Sequence, residues 1–219
     1  MLSHLDRVLY PTRCEVIEIV PSQRYVFPIF KNGSTSLYAW SKENRTKILF
    51  NEQIKKILTI DVILRDPKDR LISGINSFIH YVLRDNPELD RKTVTWFATN
   101  YFYLDRHYSS QLSWLVALAR YLDSNSRLTF LPMSAVQDIA NTHRSPVDVG
   151  KVTHELETVI SSIEICKMYQ RLDMVLYTLI GQSLTWLEVL EHLQQQDADA
   201  YDFVVTYAKK IIEPLYVLS

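Results

Sequence analysis

Tyr25-Val26-Phe27-Pro28-Ile29-Phe30-Lys31-Asn32-Gly33-Ser34-Thr35-Ser36 is the stretch from which the fold is read. It opens as an apolar, β-prone run, stops at a lysine and passes through a short polar loop with one glycine and three hydroxyl residues. Leu37, Tyr38, Ala39 and Trp40 then resume an apolar pattern suited to a helix that fades near residues 41–44. Strand, tight loop and helix in this order turn backbone N–H groups and a helix N-terminus toward an anion. Lys31 adds a point charge and the hydroxyls add donors. The stretch therefore reads as a phosphate-cradling loop, with an ordinary polar strand-to-helix turn as the plainer alternative. It is not a Walker A loop, G-x-x-x-x-G-K-[ST], because the lysine precedes the only glycine of the segment.

A second junction of the same kind lies downstream. Leu58 to Leu64 is rich in β-branched and apolar residues, as a buried parallel strand should be. It ends in Arg65-Asp66-Pro67, and Pro67 suits the first position of a helix. Leu71, Ile72, Ile75, Phe78, Ile79 and Val82 then recur at helical spacing. Two strand-to-helix units predict an open, mainly parallel α/β sheet, whose ligands bind beyond the carboxyl ends of the strands. Around this pair, short strands are expected at 16–20, 47–50 and 127–131, and helices at 111–121 and 134–141. Residues 94–103 are aromatic-rich and ambiguous, and 143–150, with Ser145-Pro146, make the best linker. From about 151 to 219 the chain reads as a helical C-terminal portion, with an amphipathic stripe at Val152, Leu156, Val159, Ile160 and Ile163 and later helices at 169–180, 184–193 and 200–216. There is no internal repeat.

Size and charge narrow the function classes. A chain of 219 residues, 47% hydrophobic and 22% charged, suits one globular domain. A net charge of −1 offers no global basic field to recruit nucleic acid. Cys14 and Cys166 form no metal or redox motif and fit a reducing compartment. No signal-peptide core or bilayer-spanning apolar run appears, so a cytoplasmic protein without a membrane partner is expected. The histidines show no i, i+4 pairing and no cysteine partners, so no metal site is expected.

Arg65-Asp66-Pro67-Lys68-Asp69-Arg70-Leu71-Ile72-Ser73 puts an arginine at a strand end and a serine about two turns into the next helix. If the arginine reaches forward, its fork of donors and the serine hydroxyl can meet one phosphate. This segment closely resembles the 3′-phosphate motif of sulfotransferases, Arg-Asp-Pro-x-x-Arg-x-x-Ser. The Lys31-x-Gly33-Ser34-Thr35 order resembles the 5′-phosphosulfate loop of the same family. Asp105-Arg106-His107-Tyr108-Ser109-Ser110-Gln111 is similar to an Asp-x-His-x-x-x-Gln segment of carbohydrate-type and small bacterial sulfotransferases. Tyr169 to Tyr177, with Asp173, looks like a late helix of that family. The resemblance covers about residues 25–177.

It implies a P-loop-type three-layer domain that uses 3′-phosphoadenosine 5′-phosphosulfate (PAPS) as co-substrate and needs no metal. Lys31, Asn32, Gly33, Ser34, Thr35 and Ser36 would surround the 5′-phosphosulfate, and Arg65 and Ser73 would hold the 3′-phosphate. Sulfuryl transfer is an in-line displacement like phosphoryl transfer, so positioning and charge stabilisation dominate. Lys31 would neutralise charge on the leaving oxygen. The acceptor hydroxyl, of a small molecule or a carbohydrate, needs a base. His107 is the first candidate because neutral imidazole is available near pH 7. Its plainer reading is a structural histidine that orients its loop. Glu52 is second, since some branches of the family place a catalytic glutamate between the two motifs. Two other classes stay open. One is a P-loop nucleotide kinase, against which stand the missing Walker glycine and the Arg65–Ser73 segment. The other is a non-catalytic nucleotide-binding or interaction protein on the same fold. The acceptor and the oligomeric state are not encoded in any motif.

Overall fold

Neighbouring strands of one sheet carry the two strand-to-helix junctions side by side. A computed structural model describes residues 14–20, 22–29, 31–101, 109–140 and 164–216. In chain order these form β1 (Glu15–Ile19), β2 (Arg24–Phe27), α1 (Ser34–Glu43), β3 (Ile48–Phe50), a 3₁₀ turn (Asn51–Lys56), β4 (Thr59–Leu64), α2 (Pro67–Asp85) and α3 (Arg91–Tyr101). There follow α4 (Gln111–Ala119), β5 (Arg127–Pro132), α5 (Ala135–Ala140), α6 (Glu164–Tyr177), β6 (Ser183–Thr185), α7 (Trp186–Gln196) and α8 (Ala198–Tyr216).

The six strands lie in the order β3-β1-β2-β4-β5-β6. β2 and β4 are parallel, with Val26 opposite Asp61, and β4 and β5 are parallel from Thr59–Arg127 to Leu64–Pro132. β1 is antiparallel to both β2 and β3, and β6 is antiparallel to β5. The sheet is therefore mixed rather than mainly parallel. Apolar periodicity reports burial and not strand direction. The short connection from β1 to β2, with Gln23 at φ 52, can only return the chain antiparallel.

Two further differences have local causes. The ambiguous 94–103 stretch is the body of α3, whose entry is marked by Asp90 accepting the Thr93 amide at 3.0 Å. The helix expected from 184 starts at Trp186. Thr185 and Glu188 form a reciprocal capping box there, so residues 183–185 are left extended and pair as β6.

Alternation along the strands divides the apolar side chains between two faces. Val16, Phe27, Val62, Leu64 and Phe130 face α2, α4 and the C-terminal helices, where Leu71, Ile75, Leu115, Leu176, Val189 and Phe203 complete one cluster. Ile17, Val26 and Ile63 face the other way, against Leu37 of α1 and Val136 and Ile139 of α5. Asp61, buried on that second face, is neutralised by Arg24 of β2 at 2.7 Å. The expected linker at 143–150 and the stripe at 152–163 lie outside the described residues. Among the described residues no helix is long and apolar enough to cross a membrane.

Candidate functional site

The lysine loop sits at the carboxyl end of β2, beside the carboxyl end of β4. Its backbone is folded by two residues of positive φ, Lys31 at 67° and Gly33 at 79°. The Asn32 amide between them bonds back to the Ile29 carbonyl at 3.1 Å. A tight turn of this kind can gather backbone N–H groups into an anion-binding concavity. Gly33 meets two demands at once. A side chain would be strained at its φ, and a Cβ there would lie 2.8 Å from Val136 Cγ2 and 3.2 Å from Met133 Cε.

Gly33 is also the N-cap residue of α1 and supplies no capping side chain. The first turn of α1 contains no acidic residue. The orphan amides of that turn and the positive end of the helix dipole are thus not neutralised by a side-chain cap. Ser34 is buried, Ser36 is half-buried and Thr35 is exposed.

Arg65 follows β4 directly. Asp66 caps α2 by accepting the Asp69 amide at 3.0 Å, with Pro67 at the first helical position, so the chain turns sharply after Arg65. The Arg65 side chain does not reach forward along α2. It turns back, and its Nη1 donates to the Lys31 carbonyl at 3.1 Å. The guanidinium is half-buried and, among the described residues, forms no salt bridge. Burial pulls it below its ordinary pKa, with Asp69 and Asp66 opposing. Ser73, half-buried on α2, makes no hydrogen bond to Arg65.

A third segment joins these two. Gln111 is fully buried at the start of α4. Its Oε1 accepts from Asn32 Nδ2 at 2.5 Å and from the Arg65 amide at 3.0 Å, and its Nε2 donates to the Arg65 carbonyl at 3.0 Å. Asn32 Nδ2 also donates to the Ile63 carbonyl at 2.7 Å. One residue further on, the Leu112 amide donates to Asp173 of α6 at 3.2 Å, and Asp173 lies 4.0 Å from Arg70 of α2. Both charged side chains are buried, at 2% and 3% exposure for Arg70 and Asp173. Burial pushes the Asp173 carboxyl up to about 6, while Arg70 and the amides of Gln111 and Leu112 pull it down. Burial pulls Arg70 to about 10, with Asp173 opposing. Arg70 is thus a packing partner of Asp173 inside the helical layer.

The structure therefore brings Lys31, Asn32, Gly33, Ser34, Thr35, Ser36 and Arg65 to one end of the sheet. Glu52 stands apart from them. It is exposed on the 3₁₀ turn after edge strand β3 and pairs with Lys55 at 2.5 Å. β3 lies two strands from β2, a lateral offset of about 10 Å at ordinary strand spacing. His107 lies outside the described residues. Gln111, Asp173 and Arg70 each fell inside a family-like segment, with Gln111 expected to hold the His107 loop, but the links of Gln111 to Asn32 and Arg65 and of Asp173 to Leu112 and Arg70 were not foreseen. The available signal was a glutamine heading a helix whose next seven residues are all buried, since such a group must find partners. No family model, curated protein or solved structure matches this chain.

Proposed function

We propose that the chain is a PAPS-dependent sulfotransferase, built as a P-loop-type three-layer domain, that sulfates a hydroxyl of a small molecule or carbohydrate. The observation that carries the proposal is Arg65. A half-buried guanidinium without a salt bridge among the described residues is hydrogen-bonded to the carbonyl of Lys31, next to a helix N-terminus without a side-chain cap. Taking a guanidinium partly out of water is unfavourable, and Asp69 and Asp66 offset that only in part. An anionic ligand with phosphate groups would relieve it and would also satisfy the α1 amides.

In this proposal the loop Lys31 to Ser36 holds the 5′-phosphosulfate and Arg65, with Ser73, holds the 3′-phosphate. Bound PAPS supplies the sulfuryl group and a phosphate leaving group. The acceptor oxygen forms the new S–O bond as the bond to the 5′-phosphate oxygen breaks, and the acceptor proton passes to the base. Lys31 stabilises the charge that grows on the leaving oxygen, an effect worth most where water is excluded. His107 is the proposed base, with Glu52 second because of its exposure and its pairing with Lys55.

A thermal-shift comparison tests the proposal. 3′,5′-ADP should stabilise the protein by mass action, about 2.7 kcal/mol at a hundredfold excess over Kd, and ATP with magnesium should do much less. Equal stabilisation by ATP-magnesium would favour phosphoryl transfer, and no response to 3′,5′-ADP would reject the sulfotransferase.

A further inference from the structure

The lysine loop and Arg65 end adjacent strands, yet the ladder that holds those strands together stops short of both. The last β2–β4 pair is Phe27–Val62, and the last β4–β5 pair is Leu64–Pro132. Arg65 lies one residue past the ladder, and Lys31 lies four residues past the end of β2. Beyond the ladder, the carboxamide of Gln111 takes over. It pairs with both the N–H and the C=O of Arg65 at 3.0 Å, as a neighbouring strand would. The same carboxamide oxygen holds Asn32, and Asn32 holds the Ile63 carbonyl. Arg65 completes the ring by donating to Lys31.

Gln111 and Asn32 are fully buried, so the carboxamide groups of both need partners inside the protein, and these bonds supply them to Gln111 and to the Asn32 nitrogen. Its own position is fixed from behind, because the next amide of α4 is anchored on Asp173.

We infer that Gln111 is a positioning residue that locks the lysine loop and Arg65 into one preformed unit, so that the two anion-binding elements engage a bisphosphate ligand together. This rests on the proposed nucleotide site for its ligand, but the mechanical bridge does not. Without Gln111, the loop and Arg65 must be ordered by the ligand itself, and ordering at the moment of binding lowers affinity.

The experiment uses the full chain and measures Kd for 3′,5′-ADP and AMP by calorimetry in the wild type, Gln111→Met, Arg65→Ala and the double variant. Amide hydrogen exchange is followed in parallel. Gln111→Met should weaken 3′,5′-ADP about tenfold to a hundredfold, the equivalent of one or two lost buried hydrogen bonds. It should also shrink the preference for 3′,5′-ADP over AMP. Added to Arg65→Ala, it should change that preference little further, because both act through the same guanidinium. In exchange, the Asn32 amide should lose protection while the β4 amides of Val62 and Ile63 keep theirs. A preference unchanged by Gln111→Met, or effects of the two substitutions that simply multiply, would overturn the positioning role. So would an Asn32 amide as protected as in the wild type. If Gln111→Met fails to fold, Asn32→Ala cuts the loop side alone, and the same reduced preference is expected. A wild type that binds neither nucleotide would reject the sulfotransferase proposal, and the exchange result would still decide the bridge.

Discussion

Replacing Gly33 by alanine perturbs the site at its tightest point, and the size of the effect can be built from its parts. Gly33 has φ 79°, where a residue with a Cβ pays about 1–2 kcal/mol. The new methyl would sit 2.8 Å from Val136 Cγ2 and 3.2 Å from Val136 Cγ1 and Met133 Cε. Met133 can yield by rotating a flexible thioether. Val136 cannot, because it is β-branched, buried and held in α5. Overpacking of this kind costs about 1–3 kcal/mol. Reduced freedom of the unfolded chain returns about 0.4–1 kcal/mol. The expected net loss is about 3 kcal/mol, a large share of a typical domain's stability. Urea denaturation of wild type, Gly33→Ala, Val136→Ala and the double variant separates the two parts. In the Val136→Ala background the steric part disappears, and Gly33→Ala should then cost only about 1 kcal/mol, the residue of φ strain. A Gly33→Ala variant within about 0.5 kcal/mol of wild type, or an equal cost in both backgrounds, would refute the reasoning.

Arg65→Ala should weaken 3′,5′-ADP by about 1.5–3 kcal/mol and AMP far less, as titration calorimetry would show. Equal losses would mean that Arg65 does not contact the 3′-phosphate. His107→Ala should abolish most sulfuryl transfer and leave 3′,5′-ADP binding intact, and the wild-type rate should fall on the acid side with an apparent pKa of about 6.5. Retained activity in His107→Ala with loss in Glu52→Gln would pass the role to Glu52. Asp173 predicts a pH effect of defined sign. Its folded pKa, about 6, exceeds the ordinary 3.8, so the folded state binds the proton more tightly. Its contribution to stability should therefore be largest below about pH 4 and be lost as pH rises through about 6. The stability of Asp173→Asn minus that of wild type, from urea curves at pH 4, 5 and 7, should rise across this window. A fall would mean that Arg70 depresses the carboxyl instead.

How much of this was legible depended on the range of the signal. The β2 loop and the β4 junction were visible because each is a local pattern: an apolar run, a breaker and a helical period. Gly33 was visible as a turn residue, but its approach to Val136 was not, since that contact crosses a hundred positions of the chain. The direction of β1 was lost because alternation is blind to it, and β6 was missed because two of its three residues were read as the start of the next helix. Arg65 was expected to reach forward to Ser73. It turns to Lys31 instead, because a carbonyl at the end of the neighbouring strand lies within its reach and the cap at Asp66 bends the chain away. Gln111 and Asp173 each lay in a family-like segment, but no local pattern showed which residues they bind. Their roles are properties of three segments meeting.

The bridge at Gln111 also sets when the site can exist during synthesis. Its hydrogen bonds close separations of 46 and 79 residues, and the bond that steadies it from α6 spans another 61. The first three strands can pair as soon as about fifty residues are free, since β1 needs only β2 and β3. The lysine loop and Arg65 emerge soon afterwards, but neither is held in place until α4 arrives, and α4 is not anchored until Asp173 does. A nascent chain shorter than this carries Lys31 and Arg65 without the buried carboxamide that joins them. An anion that selects the finished geometry would therefore report on the whole chain from the lysine loop to α6, and would act as a late checkpoint for folding rather than a template for its beginning.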